Sequence, residues 1–292
     1  MKVTAECIPC YLNQCLNAME KGGVPGDRRE ELLIGLLPVI AGLDRTLSPA
    51  ENSTIILHKL VETIGGDDPF RKAKEESNRT ALQFVPGLRR LINEAEDPVR
   101  QAVKFSVAGN VVDMGLFDDY DLRGALDGVL KTGFRRDDYP LFMSKLKNSR
   151  RVVIIGDNSG EIVFDRLLAE VLTRMGIEVI YGVKGSFILN DATIEDAYQA
   201  GLQEVSRVID SGNNCLGTIE GRCSEDFLKE IRECDLVISK GQANYESLEG
   251  TNLAGEKTFF LLKAKCPVVA ANLGVDYGDI VFVQNRFTGG CR

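Results

Sequence analysis

Residues 151–165 read Arg-Val-Val-Ile-Ile-Gly-Asp-Asn-Ser-Gly-Glu-Ile-Val-Phe-Asp, and this stretch decides the fold. The four consecutive β-branched residues Val152 to Ile155 are too few for a helix, and a run without alternation is what a strand buried on both faces of a parallel sheet requires. Gly156 to Gly160 turn the chain, and Glu161 opens a helix-length amphipathic segment that ends near residue 175. The unit repeats downstream. Apolar runs at Glu178 to Val183, Val205 to Ile209, Leu236 to Ser239, Phe259 to Leu262, Val268 to Ala271 and Ile280 to Val283 all predict buried parallel strands. Segments 193–201 and 224–233 have the length of crossover helices. The expectation is an α/β protein with a Rossmann-like, mostly parallel sheet flanked by helices.

Upstream of residue 147 the apolar spacing is helical instead. Ser48-Pro49-Ala50-Glu51 is a capping box with proline at the first helical position, and Gly65-Gly66 stops the helix that it starts. Further helices are predicted around 8–21, 28–43, 69–83, 86–95 and 98–114. With a boundary in the polar stretch Lys145 to Arg150, residues 1–147 form a helical N-terminal domain and residues 148–292 a Rossmann-like α/β domain.

Composition narrows the function classes. The 292 residues carry 35 Lys+Arg against 43 Asp+Glu, a formal net charge of −8. That balance, with no long basic run, removes the electrostatic footprint of a nucleic-acid binder. The most apolar stretch, Leu32 to Leu43, is interrupted by Gly35 and Pro38 and falls far short of the roughly 20 residues that span a bilayer, so no membrane association is expected. The first residues show no apolar secretory core, which places the protein in the cytoplasm, where its eight cysteines stay largely reduced.

In a doubly wound sheet, ligands bind beyond the carboxyl ends of the strands. The first strand ends in Asp157-Asn158, and a carboxylate beside a carboxamide offers two hard oxygen ligands for Mg²⁺ or Mn²⁺. The same residues also suit a simple helix cap. The second ends near Asn190-Asp191, where Asp191 is a metal ligand or a cap; the third ends in Asp210-Ser211-Gly212, whose amides and hydroxyl suit an anion or merely a polar turn. The fourth ends in Lys240, a cation at the place where a phosphoryl group would sit. Convergence of oxygen ligands, an anion loop and a cation on one sheet edge describes phosphate chemistry.

In the helical half, Asn110 and Asp113 share a helix face, and Gly109 allows close approach of a ligand. Asp68-Pro69-Phe70 reads as a helix start. Cys7-Ile-Pro-Cys10 has metal or redox spacing without the second pair that a structural zinc site needs, and buried thiols are the alternative. His58 is the only histidine and lies in a helical segment away from the strand ends, so it is given a structural role; its isolation also argues against histidine-based triads.

Taken together, CIPC at 7–10, DPF at 68–70, AGNVVD at 108–113, GDNSGEIVFD at 156–165, LND at 189–191, DSG at 210–212 and KGQANYE at 240–246 resemble the ARMT-like damage-control phosphatases, in their stand-alone microbial branch. The resemblance implies metal-dependent hydrolysis of phosphorylated small metabolites, such as sugar phosphates or damaged phospho-metabolites, with Mn²⁺, Co²⁺, Ni²⁺ or Mg²⁺. It implies Asp157, Asn158 and Asp191 as metal ligands, Lys240 on the phosphoryl group, and Asn110, Asp113, Glu161 and Asn244 in the substrate pocket, to which the anion loop adds Ser211. Asp157 is then catalytic as well as metal-binding, and the nucleophile is either metal-associated water or an aspartate such as Asp157. Two other classes share the open sheet edge: a carboxyl methyltransferase using S-adenosylmethionine, and a non-catalytic module that binds a phospho-metabolite. A dinucleotide oxidoreductase is disfavoured because the first turn lacks G-x-G-x-x-G.

Overall fold

The computed structural model describes residues 1–65, 68–111 and 133–286. Five helices come first: α1 (Cys7–Lys21), α2 (Gly26–Ala41), α3 (Pro49–Ile64), α4 (Arg71–Glu94) and α5 (Pro98–Val111). Then follow β1 (Arg136–Asp137), α6 (Tyr139–Leu146), β2 (Arg151–Ile155), α7 (Glu161–Arg174), β3 (Glu178–Val183), α8 (Ile194–Gln199) and β4 (Arg207–Asp210). The chain continues through α9 (Glu225–Glu233), β5 (Leu236–Lys240), α10 (Gln242–Leu248), β6 (Thr258–Lys263), α11 (Pro267–Leu273) and β7 (Ile280–Gln284).

The strands form one sheet in the order β1-β7-β6-β5-β2-β3-β4. All neighbours are parallel except β6 and β7. From β2 the chain winds outward through β3 and β4, and from β5 it winds the other way through β6 and β7. The loops after β2 and β5 therefore diverge, and the crevice between them is the switch point at which such sheets bind ligands.

Period-two alternation sorts the strand residues between two cores. Val152 and Ile154, with Leu236, Ile238, Phe259 and Leu261, face a layer built from α4 to α8. Val153, Val237, Phe260 and Leu262 face the layer of α9, α10 and α11. A third cluster joins Tyr11, Cys15 and Met19 of α1 to Leu36 and Ile40 of α2 and Ile56, Leu57 and Leu60 of α3, and it includes Ile188 and Leu216 from loops beyond the strand ends. The first three helices thus sit over the carboxyl edge of the sheet. The sequence boundary at 147/148 falls in the turn between α6 and β2, although α4, α5 and α6 precede it and belong to a sheet-covering layer.

Three expectations are corrected. Val268 to Ala271 lies in helix α11, because Pro267 occupies its first turn and has no N–H to give a sheet ladder. β7 runs antiparallel to β6. The helices expected at 69–83 and 86–95 are one, α4, which continues through Pro86. Ala81, Val85, Leu88 and Ile92 keep one buried stripe across it, and that packing outweighs the hydrogen bond lost at the proline. The capping box is present: Glu51 N donates to Ser48 Oγ at 3.2 Å, and Ser48 N donates to Glu51 at 2.9 Å.

Candidate metal centre at the switch point

Two loops are zipped together at the crevice. Asn158 and Asp191 form an antiparallel bridge, Ser159 N donates to Asn190 O at 2.9 Å, and Ala192 N donates to Asp157 O at 2.9 Å. The backbone thereby aligns Asp157, Asn158 and Asp191 side by side, although 191 follows 158 by a whole βα unit. Leu189, just before this pairing, has φ of 46°, a left-handed conformation that a leucine holds only where its surroundings impose it.

All three side chains line a cavity of about 210 Å³ between the strand ends and the first helices. Asp157 and Asp191 are 8% and 4% exposed. The Asn158 amide donates to Asp157 Oδ2 at 2.8 Å, which leaves its carbonyl oxygen available to a cation. Burial pushes the Asp191 carboxyl up to about 6, against the pull of Lys184 and Lys74. Asp191 Oδ2 accepts no hydrogen bond, and Lys184 Nζ stands 3.5 Å away. Ser159 Oγ is likewise buried without a hydrogen-bond partner. Among the described residues no group of three or more His, Cys, Asp or Glu is arranged to hold a metal ion. The donor set is two carboxylates and one carboxamide, which suits a hard cation that takes its remaining ligands from water and a phosphoryl group.

Lys240 is placed differently from the sequence expectation. It is fully buried at the end of β5, and its ammonium donates to Glu161, to Asp165 Oδ1 at 2.6 Å and to Ser106 O at 3.1 Å, so all three donors are engaged within the protein. Burial alone would lower its pKa, and the two carboxylates outweigh that and raise it. Glu161 is pushed up by burial, with Lys240 opposing and Asp165 and Asp157 adding to the rise. Asp165 also accepts from Tyr181 Oη at 2.6 Å and Ser106 Oγ at 2.5 Å. Lys240 and Glu161 therefore form a charged cluster in the protein interior and are not on the cavity wall.

Asn244 is a brace: its amide donates to Gly156 O at 3.1 Å and Lys240 O at 2.8 Å, and its carbonyl accepts from Thr218 at 2.9 Å. Ser211 is buried in the turn after β4, with Oγ 3.3 Å from Asn213 O. Asn110 falls in α5, but its side chain, like Asp113, lies outside the described residues. A Cβ on Gly109 would stand 2.7 Å from Phe164 and 2.9 Å from Glu161 Cα, so the close approach it permits is that of α7 and not of a ligand. His58 is not remote from the strand ends: its Nε2 is 3.0 Å from Asn214 O in the loop after β4.

The sequence reading gave no role to Gln242 or Glu246, which line the cavity opposite the first helices. Their four-residue spacing on α10 was the available signal. Cys7, Cys10 and Cys266 reach the same cavity from two directions, and all seven cysteines among the described residues are free thiols.

Residues 3–281 match the model of the damage-control phosphatase ARMT1-like domain. The chain belongs to the ARMT1-like damage-control phosphatase family. Within that family it is 33% identical to a damage-control phosphatase of Pyrococcus horikoshii over 98% of this chain and 99% of the relative. It is also 33% identical to a damage-control phosphatase of Archaeoglobus fulgidus, over 80% and 81% of the two chains. An uncharacterised protein of Methanocaldococcus jannaschii is 34% identical over 97% and 96%. The crystal structure of a DUF89 family protein from Pyrococcus horikoshii superposes with a TM-score of 0.89, covering 98% of this chain and 100% of that one. The ARMT1-like fold thus extends over nearly the whole chain. Among its described residues no helix is long and apolar enough to cross a membrane.

Proposed function

We propose that this chain is a metal-dependent phosphatase that hydrolyses phosphorylated small metabolites, sugar phosphates or damaged phospho-metabolites, in the cleft between the first helices and the sheet edge. The observation that carries the reading is the bridge between Asn158 and Asp191, which brings two buried carboxylates and a carboxamide to the switch point. Asp157, Asn158 and Asp191 hold the divalent cation, Mn²⁺, Co²⁺, Ni²⁺ or Mg²⁺. Bound there, the cation supplies positive charge to the phosphoryl oxygens.

The protein's own residues set the electrostatics around it. Lys240 offsets one of the two negative charges that Glu161 and Asp165 can carry beneath the site, and burial favours the neutral form of Glu161, so the negative charge facing an incoming phosphate dianion is reduced there. Lys184 adds a second buried cation beside Asp191. Walls of mixed character, Tyr11 and Leu216 with Gln14 and Ser53, suit a small metabolite and exclude bulk water from the reacting ester. Free thiols throughout the described chain are in keeping with a reducing cytoplasm.

The test is phosphate release from a panel of sugar phosphates, nucleotides and phospho-cofactors with each of the four metals or a chelator. Wild type is expected to release phosphate only with metal, and Asp157→Ala to lose both turnover and metal binding. Release that persists in Asp157→Ala, or that ignores the chelator, would overturn the reading. A protein that binds a phospho-metabolite and never releases phosphate would be a binding module.

A further inference from the structure

Glu246 is a carboxyl group on the cavity wall with one oxygen held and the other without a hydrogen-bond partner among the described residues. It lines the same space as Asp157, Asn158 and Asp191 and is 8% exposed. Its Oε1 accepts from Gln242 Nε2 at 2.8 Å. The Gln242 amide is fixed in turn, because its Oε1 accepts from the backbone N–H of Lys265 at 3.1 Å. That relay holds the carboxyl in place through Oε1. Oε2 accepts no hydrogen bond among the described residues and is not among the buried orphan atoms. A carboxyl held through one oxygen, on the wall of the cavity that the candidate metal ligands also line, suits a proton donor to a departing oxygen.

Burial pushes the Glu246 carboxyl up to about 7, with Gln242 and the Met1 amine opposing the shift and Asp157 adding to it. Cys10 and Tyr11 of α1 also face it. A large share of molecules then carries the proton near neutrality, as a donor must.

Resting on the phosphatase reading above, we propose that Glu246 is a catalytic residue, the general acid that protonates the leaving-group oxygen of the phosphoester. As a water oxygen bonds to phosphorus, the bond from phosphorus to the ester oxygen breaks, and its electron pair takes the proton of Glu246 to give the alcohol. The attacking water sheds one proton as it becomes a phosphate oxygen, and a proton from solvent restores Glu246. The sum is ester plus water giving alcohol plus phosphate.

The test compares two esters in wild type, Glu246→Gln and Glu246→Asp. Glycerol phosphate has an alkoxide leaving group that needs the proton, whereas p-nitrophenyl phosphate has one that departs without it. The Gln variant keeps an acceptor for Gln242, so its melting temperature and metal-induced stabilisation should match wild type. Expected is a kcat loss of about 100-fold or more on glycerol phosphate with a change within about threefold on p-nitrophenyl phosphate. Glu246→Asp should recover part of the alkyl activity, and it carries the same comparison if the Gln variant unfolds. Equal losses on both esters, or none on either, would overturn the assignment. Wild type inert on the whole panel of phosphoesters with all four metals would overturn the phosphatase reading, and the assignment with it.

Discussion

Gly241 and Asp157 stand so close that a Cβ on residue 241 would lie 1.9 Å from Asp157 Oδ2. One residue ends the β2 arm of the crevice and the other follows β5, so the carboxylate occupies the space that a side chain would fill. Gly241 also has φ of 77° and ψ of 168°, backbone that is essentially reserved for glycine. Gly241→Ala should therefore cost on the order of 1–3 kcal/mol from strain alone and, in addition, displace Asp157. Calorimetric metal titration and melting temperature check this. Wild-type metal affinity in the alanine variant would mean that Asp157 does not need its present position.

Lys240 is the counter-charge for two buried carboxylates. Replacing it by methionine keeps the volume of its stem and strands Glu161 and Asp165 without a cation, a situation that costs roughly 3–5 kcal/mol. Denaturant unfolding of Lys240→Met should show that loss at neutral pH. The loss should shrink in acid, where Glu161, pushed up to about 7 by burial, takes up a proton. Unaltered stability would show that the cluster tolerates bare carboxylates.

The sheet was legible because a buried parallel strand leaves an unbroken apolar run, and β3 begins and ends at the residues expected from Glu178 to Val183. Asp157 and Asn158 were legible as candidate metal ligands because they follow such a strand, and Asp191 because it opens the next helical segment. The run Val268 to Ala271 misled, since four apolar residues fit either state until Pro267 is weighed. The interior position of Lys240 was not legible: its partners Glu161 and Asp165 lie one turn apart on α7, and only tertiary packing brings that face against β5. The place of Glu246 on the cavity wall was not legible for the same reason, because its neighbours there come from distant parts of the chain.

Protons and metal compete for Asp191. Its carboxyl is pushed up from the ordinary 3.8 to about 6 by burial. In the metal-free protein the stability tied to this group is fully present below 3.8 and is lost as pH rises through about 6, because the buried charge must then be carried. Metal binding at the proposed site would require that charged form and stabilise it. The rise in melting temperature on adding Mn²⁺ should therefore be largest above pH 6 and decline steadily below it. A metal-induced shift of constant size from pH 5 to pH 8 would remove Asp191 from the ligand set.

In the proposed metal site Asn158 would contribute a neutral oxygen beside two carboxylates. The Asn158 amide donates to Asp157 Oδ2 at 2.8 Å, so Asn158→Asp replaces a hydrogen bond by two like charges in contact. The metal-free variant should melt below wild type, because the adjacent, part-buried carboxylates repel. With metal the order should reverse, since the cation is attracted by three charges instead of two. Turnover should nevertheless fall by tenfold or more, because the extra negative charge repels the phosphate dianion and reduces the positive charge left to polarise it; tenfold corresponds to about 1.4 kcal/mol of barrier. Paired melting curves and phosphate-release rates test both halves. Tighter metal binding with undiminished turnover would show that the carboxamide is not chosen for its neutrality, and lower metal affinity would show that residue 158 is not a ligand.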